Sequence, residues 1–296
     1  MLNLSNFLFT TNTVNYEEIN ENFLELSKQV VNDYFSDKVM FKPDNFKYFY
    51  YDDFIFNTNT SKSSYITLYV EINQPANIKA IEDKKFNRRV KDKKIKNLHL
   101  TLKDIKEGLF HQYVTMFDSN TNLWVDKYSV NISYNEEIEG KFENYMLRVI
   151  PCFSYTNEQG QNGVIYYNDE LTQVEIEYPL ISINNIIEKD NNTNGLFYNY
   201  LICFKNMFMQ QKNVPNVEFE VFETILYNVP NNIFVDESEQ TVINIINYLR
   251  NKNLKDYKTI DEQDFAYTSK YKSFSILYAK HAINQIEKFI KKEIKQ

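Results

Sequence analysis

A chain of 296 residues, 43% hydrophobic and 16% aromatic, can build a real core as one large domain or two. Its 5 Gly and 6 Pro exclude collagen-like and linker-rich classes. A net charge of −7 offers no whole-protein case for nucleic-acid binding.

The start, MLNLSNFLFTTNT, lacks a basic n-region and a long apolar core, so it does not read as a signal peptide. No run reaches the roughly 18 uninterrupted apolar residues of a membrane span. A cytoplasmic protein with no membrane partner is expected. Cys152 and Cys203 lie in apolar surroundings and read as buried free thiols.

In chain order, 15–35 reads as a helix, with Ile19, Phe23, Leu26, Val30 and Tyr34 at intervals of three and four. Phe46–Tyr51 is aromatic and reads as a strand. The polar run NTNTSKSS follows. Then Ile66, Leu68, Val70 and Ile72 alternate with Tyr65, Thr67, Tyr69 and Glu71, a period-2 strand with one apolar face.

Residues 77–108 form a charged, mostly helical segment. From Lys79 to Glu107 there are eleven Lys or Arg against five Asp or Glu. Lys84, Lys85, Arg88, Arg89, Lys93 and Lys94 are its centre. Two readings stand: a solvated helix face, or a contact for a phosphate backbone or an acidic partner.

Strands are expected across 113–150, with YSVNISY alternating and YMLRVIPCF nearly continuous around Arg148, then again at 163–167 and 174–178. Trp124 is expected in the core. From Gly195 the pattern is helical, at 196–209, 218–227, 239–250 and 271–294. His99, His111 and His281 lack metal-ligand spacing, and no Walker loop, dinucleotide fingerprint or serine elbow is present.

The layout around Tyr50–Gln74 resembles the core of the DNA polymerase-β-like nucleotidyltransferases. That superfamily includes poly(A) polymerases, oligoadenylate synthetases and bacterial cyclic-oligonucleotide synthases. Its motif is Gly-Ser, then Asp-x-Asp on a strand, then a third Asp on a neighbouring strand. Laid over this chain, Gly-Ser falls on Asp52 and Asp53. The Asp pair falls on Tyr65 and Thr67, within SYITLYVEI. The third Asp falls on Arg148, within LRVIPCF. The resemblance continues through Tyr178-Pro179, Lys189, Thr193, LFYNYLICFKN with Lys205-Asn206, and ETILYNVP. The helix Lys and Arg of that pattern are Tyr198 and Ile202 here.

Nucleotidyl transfer needs two divalent ions held by carboxylates. Tyr65 and Thr67 supply no such charge, and a guanidinium at Arg148 repels a metal. Asp52 and Asp53 put negative charge where the family's glycine lets backbone amides approach a phosphate. The resemblance therefore implies an α+β fold: a nucleotidyltransferase-like mixed sheet with flanking helices over 1–190, then a helical domain over 191–296.

It also implies a catalytically degenerate member, a pseudoenzyme. Such a protein acts by binding, as a silent subunit beside an active nucleotidyltransferase paralogue, as a homo-oligomer, or as a sensor of a nucleotide or nucleic acid. Glu71, Arg148, Lys189 and Lys205 are the candidate ligand-binding residues, with no metal and no cofactor expected. An active enzyme with relocated carboxylates, using Mg or Mn, is the alternative; a purely structural oligomer is another. A buried Arg148 is expected to pair with Asp52, Asp53 or Glu71.

Overall fold

The computed structural model describes residues 16–36, 46–51, 64–72, 101–117, 121–138, 141–170, 173–209, 220–267 and 276–294. The mixed sheet with flanking helices and the helical C-terminal domain are both present. Contacts divide the chain into two compact units; the described residues up to Pro179 fall in one and those from Leu180 in the other. No described helix is long and apolar enough to cross a membrane.

The first unit opens with helix α1 (Tyr16–Ser36), followed by β1 (Phe46–Tyr51) and β2 (Ser64–Ile72). Helix α2 (Leu102–Met116) comes next, then β3 (Thr121–Val125), β4 (Val130–Ile138), β5 (Lys141–Thr156), β6 (Asn162–Tyr167) and β7 (Val174–Glu177). The sheet order is β1-β2-β5-β4-β3, with β6 paired to β5 and β7 to β6. Among the described strand pairs, only β2–β5 is parallel. Strand β5 is long because it changes partner. Its pairing with β4 ends at Val149 and its pairing with β6 begins at Phe153. Pro151, with no N–H to donate, sits in that gap.

The alternation in β2 sorts the two faces of the sheet. Ile66, Leu68, Val70 and Ile72 are buried with Leu147, Val149, Val130 and Ile132. They share one core with Val30, Val31 and Phe35 of α1 and with Leu102, Ile105, Leu109 and Tyr113 of α2. Phe35 stacks on Phe46, the register partner of Ile72, which places α1 on this face.

Helix α2 runs to Met116, past the expected end at Gly108, and holds Tyr113 where strand was expected. Thr101 and Asp104 cap each other at its N-terminus, and its apolar residues recur at helical spacing. Gly108 is there for room: a Cβ would lie 2.2 Å from the Tyr34 ring. Trp124 is also not in the core. It stands on edge strand β3, 38% exposed.

The second unit contains α3 (Pro179–Asn192), α4 (Leu196–Met209), α5 (Glu220–Tyr227), α6 (Glu239–Asn251) and α7 (Ile276–Ile294), with two short 3-10 turns. Phe197, Leu201 and Phe204 of α4 pack with Phe222 and Ile225 of α5, Val242 and Ile245 of α6, and Ala282 and Ile286 of α7. Asn194 and Gly195 take positive φ between α3 and α4, and the Thr193 hydroxyl accepts from Phe197 N at 3.0 Å. Both cysteines are buried and free.

Candidate functional site

The face of the sheet opposite α1 carries polar side chains beside the buried Ile150, Cys152 and Val164. Period-2 geometry puts Thr67, Tyr69 and Glu71 of β2 on it, with Arg148 and Ser154 of β5. Register adds Lys47 from β1, Asn131 from β4, Tyr166 from β6, and Glu175 and Glu177 from β7. Side-chain bonds cross the strands. Glu71 accepts from Ser154 Oγ at 2.6 Å and pairs with Lys47 Nζ at 3.2 Å. Glu177 accepts from Tyr69 at 2.5 Å and also from Tyr166. Glu175 accepts from Tyr128 at 3.1 Å.

Two of the three positions where the resemblance places metal-binding aspartates are adjacent. Thr67 and Arg148 are register partners in the parallel β2–β5 ladder. Tyr65 pairs with Met146 two residues earlier. Strand β1 ends at Tyr51, the register partner of Thr67. Asp52 and Asp53 follow it in sequence and lie outside the described residues, as do Lys84, Lys85, Arg88, Arg89, Lys93 and Lys94.

Arg148 Nε donates to Ser129 Oγ at 3.4 Å, and Asn131 Oδ1 lies 3.2 Å from the same oxygen. Burial opposes ionisation of Asp126 in the β3–β4 turn. Bonds from the backbone N–H groups of Tyr128 and Ser129, the Ser129 hydroxyl and the charge of Arg148 outweigh it and hold the carboxyl below its ordinary range. Of the partners expected for Arg148, Asp52 and Asp53 lie outside the described residues, and the Glu71 carboxylate is bonded to Lys47 and Ser154. Glu71 is four residues along β2 from Thr67, about 13 Å at strand rise.

The pair of divalent ions that the resemblance implies does not fit these residues. Thr67 is neutral, Arg148 is a fixed cation, and among the described residues no three His, Cys, Asp or Glu side chains group as metal ligands.

Lys189 and Lys205 belong to the helical unit. Lys189 donates to the Val229 carbonyl and lies 5.3 Å from the centroid of the Phe234 ring. Burial pushes its ammonium down to about 8. Lys205 is fully buried, with Glu223 at 3.4 Å. Lys106, the last cation of the basic segment, is buried as well. It donates to the carbonyls of Asp126 and Lys127 and to Asp169 Oδ1 at 2.7 Å.

The residues that sequence reading missed are Ser129, Asn131, Glu175 and Glu177. Their signal was the polar half of the alternation in YSVNISY and VEIE. A groove of about 520 Å³ opens beside α1, lined by Glu25, Lys28, Asp33 and Tyr48, away from the polar face.

Residues 184–291 match the family model of the cGAS/DncV-like nucleotidyltransferase C-terminal helical domain. The fold is that of the cGAS/DncV-like nucleotidyltransferases. The structure of Rhodothermus marinus CdnE c-UMP-AMP synthase aligns with a TM-score of 0.65 at 15% identity, over 96% of this chain and 94% of that one. Elizabethkingia meningoseptica CdnE cyclic dinucleotide synthase gives 0.63 at 18% identity, over 90% and 89%. Vibrio cholerae DncV in its 3'-deoxy GTP bound form gives 0.61 at 9% identity, over 95% and 84%. No curated protein sequence matches the chain. The polymerase-β-like nucleotidyltransferase fold is thus established through cyclic-dinucleotide synthases.

Proposed function

We propose that this chain is a nucleotidyltransferase-fold protein that works by binding rather than by nucleotidyl transfer. Its ligand is a nucleotide or a nucleic acid. It acts in the cytoplasm, as a sensor, as a homo-oligomer, or as the silent member of a pair with an active paralogue. The observation that carries the reading is the adjacency of Thr67 and Arg148. A fixed guanidinium beside a hydroxyl attracts an anion and repels a divalent cation.

Purified protein supplied with the four nucleoside triphosphates and Mg or Mn should form no product. Metal-dependent product that survives further purification and disappears in Glu71→Ala would overturn the reading. One observation favours the alternative of an active cyclic-nucleotide synthase: Glu71, Glu175 and Glu177 share the polar face with Thr67. Their bonds to Lys47, Ser154, Tyr69, Tyr128 and Tyr166 weigh against it, since each tightens a carboxylate into the protein's own network.

A further inference from the structure

We infer that the outward face of α7, flanked by Arg250 of α6, is a docking surface for the phosphate backbone of a nucleic acid. The inference rests on the binding reading above and names where that ligand is held.

Helical spacing sorts α7 into two stripes. Ala279, Ala282, Ile283, Ile286 and Ile290 are buried in the core of the helical unit. On the opposite side Lys280, Asn284, Lys288, Lys291 and Lys292 are exposed. From Ile276 to Lys292 no exposed position carries an acid. The one acid in that stretch, Glu287, has a side chain only 14% exposed and already faces two cations, Arg250 Nη1 at 2.8 Å and Lys291 Nζ at 2.5 Å. Arg250 thereby sets the end of α6 beside the stripe. The chain leaving α6 adds exposed Lys252, Lys255 and Lys258 against a single acid, Asp256.

A solvated helix face usually balances its charges, as Lys103 and Glu107 do one turn apart on α2. The outward face of α7 does not, in a chain whose net charge is −7. The helix dipole accounts for Lys291 and Lys292, which stand in the last turn. It does not account for Lys280 and Lys288, and like charges one turn apart, such as Lys288 and Lys292, disfavour the helix slightly.

The shape of the row selects the partner. At helical rise Lys280 and Lys292 stand about 18 Å apart along the axis. A duplex carries about one charge per 1.7 Å of its own axis, so a straight row of that length finds a phosphate for each lysine. Asn284, midway, adds a neutral donor for a phosphoryl oxygen. An acidic protein would have to match the row with carboxylates of its own. A membrane would take inserted apolar side chains as well, and the apolar stripe of α7 faces the core, apart from Leu277 and Tyr278 in its first turn. Contacts of this kind read no base sequence and weaken steeply with salt.

The test titrates the full chain, in EDTA, into a labelled DNA duplex and a labelled RNA strand, reading anisotropy between about 50 and 200 mM salt. At least one should bind saturably, with affinity falling as salt rises. The triple variant Lys280→Gln, Lys288→Gln, Lys292→Gln leaves Lys291 and Arg250 on Glu287, so it should melt no lower than wild type. It should weaken binding at least tenfold and lower the salt slope by about 3, one for each lost phosphate contact. The variant Lys84→Gln, Arg88→Gln, Lys93→Gln removes equal charge from the basic segment and should weaken binding less.

Wild-type affinity in the folded α7 variant, an equal loss in the two variants, or no binding to either nucleic acid at the lowest salt would overturn the surface. Retention on phosphatidylserine vesicles without binding to either nucleic acid would overturn it too, and would assign the face to a membrane. Product formation from nucleoside triphosphates, followed separately by chromatography, bears on the binding reading alone, so the two failures are distinguishable.

Discussion

Thr67 of β2 and Arg148 of β5 are register partners across the sheet's parallel ladder. Side chains so paired in a parallel ladder share a face and stand about 5 Å apart. In a nucleotidyltransferase such a pair gathers negative charge that a metal neutralises. Here one member is neutral and the other positive, and the surrounding acids are Asp126, Glu175 and Glu177.

Arg148→Asp should therefore destabilise the protein. It removes the donor to Ser129 and the cation felt by Asp126 and Tyr166, and puts a fourth carboxylate among the existing ones. Loss of a cation from such a cluster typically costs a few kcal/mol, a fall in melting temperature of roughly 5–10 °C. Magnesium should not restore it. A variant carrying Asp52→Gly, Asp53→Ser, Tyr65→Asp, Thr67→Asp and Arg148→Asp together should gain stability from magnesium. Thermal melts of both variants with and without magnesium decide the matter. An unchanged melting temperature for Arg148→Asp would mean that its charge faces solvent.

Much of this architecture was legible because period-2 and period-3.6 patterns survive in the sequence. Ile66, Leu68, Val70 and Ile72 alternate, and each is buried. Leu201, Phe204, Val242 and Ile245 mark helices that pack as expected. Helix α3 was not legible, because PLISINNIIEKDNN is rich in Asn and β-branched residues of low helix propensity. The end of α2 was misread because Gly108 serves the Tyr34 ring rather than a helix stop. The polar face was half-hidden for another reason. Polar residues that alternate along a strand normally mean solvent, and only tertiary register shows that Ser129 and Asn131 are buried beside Arg148.

Lys106 offers a second test, separate from the site. Its ammonium ties α2 to the carbonyls of Asp126 and Lys127 and to Asp169, and so anchors the turn that carries Asp126. Lys106→Met should cost about 2–4 kcal/mol in chemical denaturation, since two carbonyls and a carboxylate lose a charged donor. Asp169→Asn alone should cost much less, because Asp169 is 41% exposed and water can replace the lysine. Equal costs for the two variants would show that the ion pair, not the carbonyl bonds, holds the turn.

Lys189 gives the last prediction, in the helical unit. Burial lowers its folded-state pKa from 10.5 to about 8. Between these values the unfolded chain binds a proton that the folded chain does not, so stability rises with pH across that window. Below pH 8 both states are charged, and the fold carries the full cost of a buried ammonium. Above pH 10.5 both are neutral and the cost is gone. The span corresponds to about 3 kcal/mol. Lys189→Met removes the titration but also the bond to Val229 O, so its absolute stability is the less informative quantity. The informative quantity is the stability of Lys189→Met minus that of wild type, in which the tyrosine titrations largely cancel. It should be flat below pH 8 and fall in favour of wild type as pH climbs to 10.5. Urea unfolding at pH 7, 8, 9 and 10 measures it. A difference constant across that range would show that Lys189 keeps an ordinary pKa, with its ammonium solvated despite the surrounding Tyr227 and Phe234 rings.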